Sequence, residues 1–70
     1  MSYTITVETH DTEAKVLYWN RRKAVWQKHL SKSCIYPTFK GSWRVFKRVA
    51  HVNWPYIDGR PVRAVRHKPA

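Results

Sequence analysis

Residues 18–30, YWNRRKAVWQKHL, hold the densest run of side chains able to grip an anion: Arg21, Arg22 and Lys23 in succession, framed by Trp19 and Trp26 seven residues apart. Arginine and lysine hold phosphate or carboxylate through charge-assisted hydrogen bonds, and tryptophan offers a flat face to a cation or a nucleobase. At about 100° per residue, Lys15, Trp19, Arg22, Trp26 and Leu30 share one helical stripe, with Ala14, Tyr18 and Val25 on its neighbour. Two readings of the tryptophans stand side by side. Either they are core, with Arg and Lys stems laid across them, or the stripe grips a partner. Three consecutive cations fan round most of a helix, so at least one of them faces solvent or a partner.

A second basic and aromatic stretch is GSWRVFKRVAHV, residues 41–52. Read as a strand, it puts Arg44, Phe46 and Arg48 in one row, with Lys47 on the other face. A ring flanked by cations suits a single-stranded nucleic acid, whose bases stack while its phosphates pair. The plainer reading makes Phe46 core, with the arginines at its rim.

Catalysis finds little support. His10, His29, His51 and His67 are not at metal-ligand spacing with one another or with Cys34. The two glycines make no phosphate loop. A nucleophile needs a positioned base, and no local motif supplies one. We expect no enzyme, no catalytic residue, no metal and no cofactor.

Charge narrows the partner. The formal net charge is +10, yet Glu8, Asp11 and Glu13 lie in the first thirteen positions and every Lys and Arg follows them. Such a surface draws polyanions by releasing counterions, so nucleic acid or an acidic protein surface is the expected neighbour. Hydrophobic content of 43% argues for a folded domain rather than a disordered chain. The single cysteine allows no internal disulfide, and no apolar run is long enough for a signal peptide or membrane span. A cytoplasmic monomer without membrane contact is expected, with Cys34 a small buried hydrophobe.

These residues need elements to hold them. SYTITVET alternates: Tyr3, Ile5 and Val7 on one side, Thr4, Thr6 and Glu8 on the other, the pattern of a half-buried strand. Being terminal, it is expected at or near a sheet edge. Tyr3, Ile5, Val7 and Glu8 are then the candidate contacts for a protein partner that adds a strand. A helix is expected next, capped by Asp11 or Thr12, with Glu13 in its first turn, ending near Leu30. CIYPTFKG reads as a connector and residues 41–52 as the longest strand. Asp58-Gly59 marks a hairpin. The domain is expected to span residues 1–67, with 68–70 a disordered tail. The fold class is α+β: one long helix packed on a small antiparallel sheet of three to four strands.

Three binding classes follow. A nucleic-acid binder would use Lys15, Trp19, Arg21, Arg22, Lys23, Trp26, Arg44, Phe46, Lys47 and Arg48, although no sequence-specific DNA or RNA motif is matched. A two-sided adaptor would set the N-terminal segment on protein and the basic remainder on nucleic acid, which accounts for the charge polarity. A membrane-active peptide ranks last, since the strand and hairpin signals favour a folded domain.

In size, Trp-rich basic helix (Trp19 to Trp26) and acidic N-terminal segment, the chain resembles the small regulators that bacteriophages direct against host RNA polymerase. That resemblance implies binding near the RNA exit channel, interference with sigma-dependent promoter recognition, and antitermination in the host cytoplasm. It also implies that Tyr3 to Val7 engage the largest polymerase subunits, while Arg21, Arg22, Lys23, Arg44, Lys47 and Arg48 face RNA or acidic polymerase surface.

Overall fold

The computed structural model describes residues 1–10, 15–52 and 54–70. Its elements are strands β1 (Tyr3–Glu8), β2 (Val16–Asn20) and β3 (Val25–Gln27), a 3-10 turn Lys32–Cys34, helix α1 (Phe39–His51), and strands β4 (Tyr56–Ile57), β5 (Arg60–Pro61) and β6 (Arg66–Pro69). The large sheet is antiparallel in the order β3-β2-β1-β6, with β4 and β5 forming a separate two-stranded ribbon. One helix on an antiparallel sheet is the α+β architecture expected. The helix, however, comes from a different stretch of chain.

Residues 15–30 do not form the expected helix. They fold as the β2-β3 hairpin, and the helix start assigned to Asp11, Thr12 and Glu13 lies outside the described residues. VLYW is rich in β-branched and aromatic residues, and Leu17 and Trp19 alternate with Val16 and Tyr18. The turn needs neither Asn-Gly nor proline, because Asn20 organises it. Its Oδ1 accepts from the backbone N–H groups of Arg22 and Lys23, both at 3.0 Å, and its Nδ2 donates to Gln27 Oε1 at 3.0 Å. Ala24 closes the turn in the left-handed region, φ 55°, donating to Asn20 O at 2.8 Å. Trp19 and Trp26 become directly opposed cross-strand partners, ring centroids 5.2 Å apart.

The stretch expected as the longest strand is instead α1. Thr38 caps it by accepting from Gly41 N–H at 3.1 Å, and the missing Gly41 side chain makes room for that contact, since a Cβ there would lie 3.0 Å from Thr38 Oγ1. Ser42, Val45, Phe46 and Val49 recur at helical spacing and turn toward the sheet; Ser42 and Val49 are buried. Arg48 and His51 occupy the last turn, where the helix dipole favours positive charge.

Strand β1 is central rather than at an edge. It pairs with β2 through Thr6, Val7 and Glu8, and with β6 from Tyr3 to Thr6. Thr9 then bridges Val62, and the Arg63 N–H donates to Glu8 O at 2.8 Å. The expected disordered tail is corrected on the same ground: Lys68 and Pro69 belong to β6, and Ala70 N–H donates to Ser2 O at 2.8 Å. Pro69, at the outer end of an edge strand, breaks no interior ladder. The Asp58-Gly59 hairpin stands as expected, joining β4 to β5 with both turn residues at positive φ.

Two clusters make the core. Ile5, Tyr36 and Val49 form one with α1, Trp19 and Trp26; Val7, Leu17 and Ile57 form the other, reached by Trp26, Trp54 and Val62. Cys34 is free and buried. Tyr36 pairs with Tyr3 through two 2.9 Å backbone hydrogen bonds, and its hydroxyl donates to Trp19 O at 3.4 Å. Burial pushes its phenol up from 10.0 to about 12, against the pull of the Arg21 guanidinium. The phenol stays neutral in the folded state while the unfolded chain ionises near 10. Its stabilising contribution is therefore whole below about pH 10 and is lost as pH rises toward about 12. Alkaline unfolding followed by circular dichroism should show this loss, and Tyr36→Phe should flatten the slope in that window. No described helix is long and apolar enough to cross a membrane.

Candidate nucleic-acid interface

Helical periodicity sorts the side chains of α1 by chemistry. While Ser42, Val45, Phe46 and Val49 pack inward, Lys40, Arg44, Lys47 and His51 recur at four, three and four residues along the opposite side, with Arg48 beside them. All five are exposed. Among the described residues, the only carboxylate side chains are Glu8 and Asp58. Glu8 is engaged elsewhere, 3.8 Å from Arg63 Nε and 3.9 Å from Lys68 Nζ. The cations of this helical stripe have no carboxylate partner among the described residues.

The band does not stop at the helix. Arg48 also lines a cleft of about 480 Å³ whose other wall carries Arg21, Trp19 and Trp54. The guanidinium of Arg21 sits 5.1 Å from the centre of the Tyr36 ring, a cation–π contact that fixes its direction. Beyond Arg21, Arg22 and Lys23 border a second concavity shared with Lys28 and His29. Helix and hairpin turn thus each present exposed cations, Lys40 to Arg48 and Arg21 to Lys23, and the two groups meet at the cleft that Arg48 and Arg21 both line.

Several sequence assignments change. Arg21, Arg22 and Lys23, of which at least one was expected to face outward, are all three exposed, on a β-turn instead of mid-helix. Arg44, Lys47 and Arg48 join them. Phe46 leaves the expected row, because residues 44, 46 and 48 do not share a helix face, and it packs against the core. Trp19 and Trp26 pack mainly against that core too; Trp19 keeps one flank on the cleft. Lys15 lies at the opposite end of β2 from the turn, its N–H donating to Thr9 Oγ1 at 2.9 Å.

The proposed protein-docking segment loses its surface. Ile5 and Val7 are 0% and 1% exposed, and β1 has a neighbouring strand on each side, so it has no free edge to offer. Tyr3 is half-buried against Phe39 and His67, and Glu8 is held by its two cations.

Lys40 and His51, on the cationic side of α1, and Trp54, in the cleft, were not among the expected site residues. The signal was present in the spacing of 40, 44, 47 and 51 against 42, 45, 46 and 49, which fits a helix and no strand. No group of three or more His, Cys, Asp or Glu able to hold a metal occurs among the described residues. Comparison of the chain with protein-family models, with curated proteins and with solved structures finds no match in any of the three.

Proposed function

We propose that this protein binds nucleic acid, and that it does so by occupying the phosphate backbone rather than by chemistry. The observation that carries this is the exposed cations of α1 and of the hairpin turn, Lys40 to Arg48 and Arg21 to Lys23, which meet where Arg48 and Arg21 line one cleft. A solvated face of an ordinary soluble protein mixes both signs of charge. This one draws phosphates by counterion release, and the association constant falls with salt in proportion to the contacts made.

The test is affinity for a short DNA or RNA strand measured by fluorescence anisotropy across a salt series. A plot of log association constant against log salt should fall with a slope of roughly −3 to −4, the value for about five phosphates on a single strand. A flat plot, or no binding even at low salt, removes the reading.

A second reading sets the protein on bacterial RNA polymerase, with the band toward nucleic acid, to inhibit initiation or promote antitermination. Its support is two-sidedness. Val16 and Val25, 39% and 44% exposed, lie toward opposite ends of β2 on the sheet face away from α1 and leave an apolar group open at each end of that side. Polymerase subunits retained on the protein from a nuclease-treated lysate at moderate salt would select this reading, because nuclease removes bridging and salt weakens purely electrostatic contact.

A further inference from the structure

Phe39, Trp43 and Phe46 each immediately precede a cation of the band, Lys40, Arg44 and Lys47. One residue is a turn of about 100° on a helix, so α1 carries two parallel stripes, one aromatic and one cationic. The aromatic stripe is ordered as a run of rings. Phe39 and Trp43 are near-parallel with centroids 5.8 Å apart, and Trp43 and Phe46 follow at 5.0 Å. His67 braces them from β6, edge-to-face with Phe39 at 5.1 Å and with Trp43 at 5.5 Å, and is itself stacked on Tyr3 at 5.3 Å.

Despite this bracing, Phe39 is 54% exposed and Trp43 40%. Large rings left open beside charges that have no described carboxylate partner call for a ligand with both apolar faces and negative charge. A duplex supplies the charge, but its base faces are covered by stacking. A single strand supplies both at once, and ring-to-base stacking tolerates any sequence.

We propose that this side of α1 is a stacking platform for single-stranded nucleic acid, with bases lying on Phe39 and Trp43 and phosphates held by Lys40, Arg44 and Lys47. The inference rests on the nucleic-acid reading above and names its substrate class. His67 is a positioning residue, holding the rings from β6.

The experiment compares three probes at one fixed salt concentration: a short oligothymidylate, an abasic strand of the same length, and a duplex of matched phosphate number. The protein should hold the thymidine strand about tenfold or more tightly than the abasic one, since stacking acts on every base a ring can reach. Phe39→Leu with Trp43→Leu keeps apolar filling against Phe46 and His67 while removing the π-faces. That variant should bind thymidine and abasic strands alike, with abasic and duplex affinities unchanged. Equal binding of thymidine and abasic strands by the unaltered protein overturns the platform, as does a leucine variant that keeps the preference. In either case, measurable binding of all three probes would leave the cationic band standing. Failure of every probe to bind would remove both readings.

Discussion

Removing residues 66–70 should abolish cooperative unfolding of this protein at room temperature. The segment forms β6, which pairs with β1 from Tyr3 to Thr6, and its loss strips one side of the strand that carries Ile5. His67 would go with it. Its Nε2 lies 2.7 Å from the oxygen of the fully buried Ser42, and its ring meets Tyr3, Phe39, Trp43 and Phe46. Ser42 Oγ lies 2.9 Å from Phe39 O; with its hydroxyl proton donated there, it accepts from His67 Nε2–H, and truncation would leave Ser42 without that partner. A chain this small has roughly 4–10 kcal/mol of total stability. Exposing a central strand, removing the ring that packs on four aromatic side chains and taking one of the two hydrogen bonds of a buried hydroxyl together exceed what that margin absorbs. The bared β1 edge would also template pairing between molecules. Thermal melts by circular dichroism, with sedimentation to detect association, measure both effects. A truncated chain that melts cooperatively within about 5 °C of the full one would show a loss of only about 1 kcal/mol and would contradict this account of β6.

Arg44→Glu with Lys47→Glu should lower affinity for a single strand about a hundredfold near 0.1 M salt, and make the salt slope shallower by about 1.4, at roughly 0.7 per lost contact. Each neutralised phosphate contact is worth roughly tenfold at that salt, and reversal adds repulsion on top. The fold should persist, because both side chains are exposed, lie away from the core clusters and are replaced by a good helix former. The carboxylate introduced at position 44 would in addition sit four residues from both Lys40 and Arg48, where opposite charges support a helix. Arg63→Gln is the comparison: it removes a cation that already faces Glu8 at 3.8 Å, outside the band, and should change affinity little. Anisotropy titrations across salt read both variants. The double reversal changes net charge by four and Arg63→Gln by one, so a loss for Arg63→Gln of about a quarter of the other, on a logarithmic scale, would mean that net charge, and not the placed band, governs binding.

The core face of β1 was legible because alternation in Tyr3, Ile5 and Val7 is a local property, and Asp58-Gly59 was legible because positive φ at a two-residue turn has few chemical solutions. The hairpin at residues 16–27 reads as a helix for a physical reason. A spacing of seven is two helical turns, and it is equally the separation of cross-strand partners lying one residue pair outside a four-residue turn. Trp19 and Trp26 satisfy both patterns. What separates them is the Asn20 side chain, which bonds the N–H groups of Arg22 and Lys23 and so replaces the glycine a turn of this kind usually signals. In residues 41–52 the strand reading mixed apolar and basic groups on both faces; the helix reading separates them cleanly, with Thr38 as its cap.

The sequence by itself determined the α+β class, the excess of positive charge, the inward face of the first strand and the place of the second hairpin. Each depends on composition or on residues within a few positions of one another. Only the tertiary structure decided that β1 is central, because its neighbour β6 pairs with it from 60 to 66 residues further along the chain. Only it joined Arg21 to Arg48 across a cleft, and set His67 under Phe39 and Trp43. Those pairings are chosen by which apolar faces can be buried together, a property of the whole chain that local pattern does not carry.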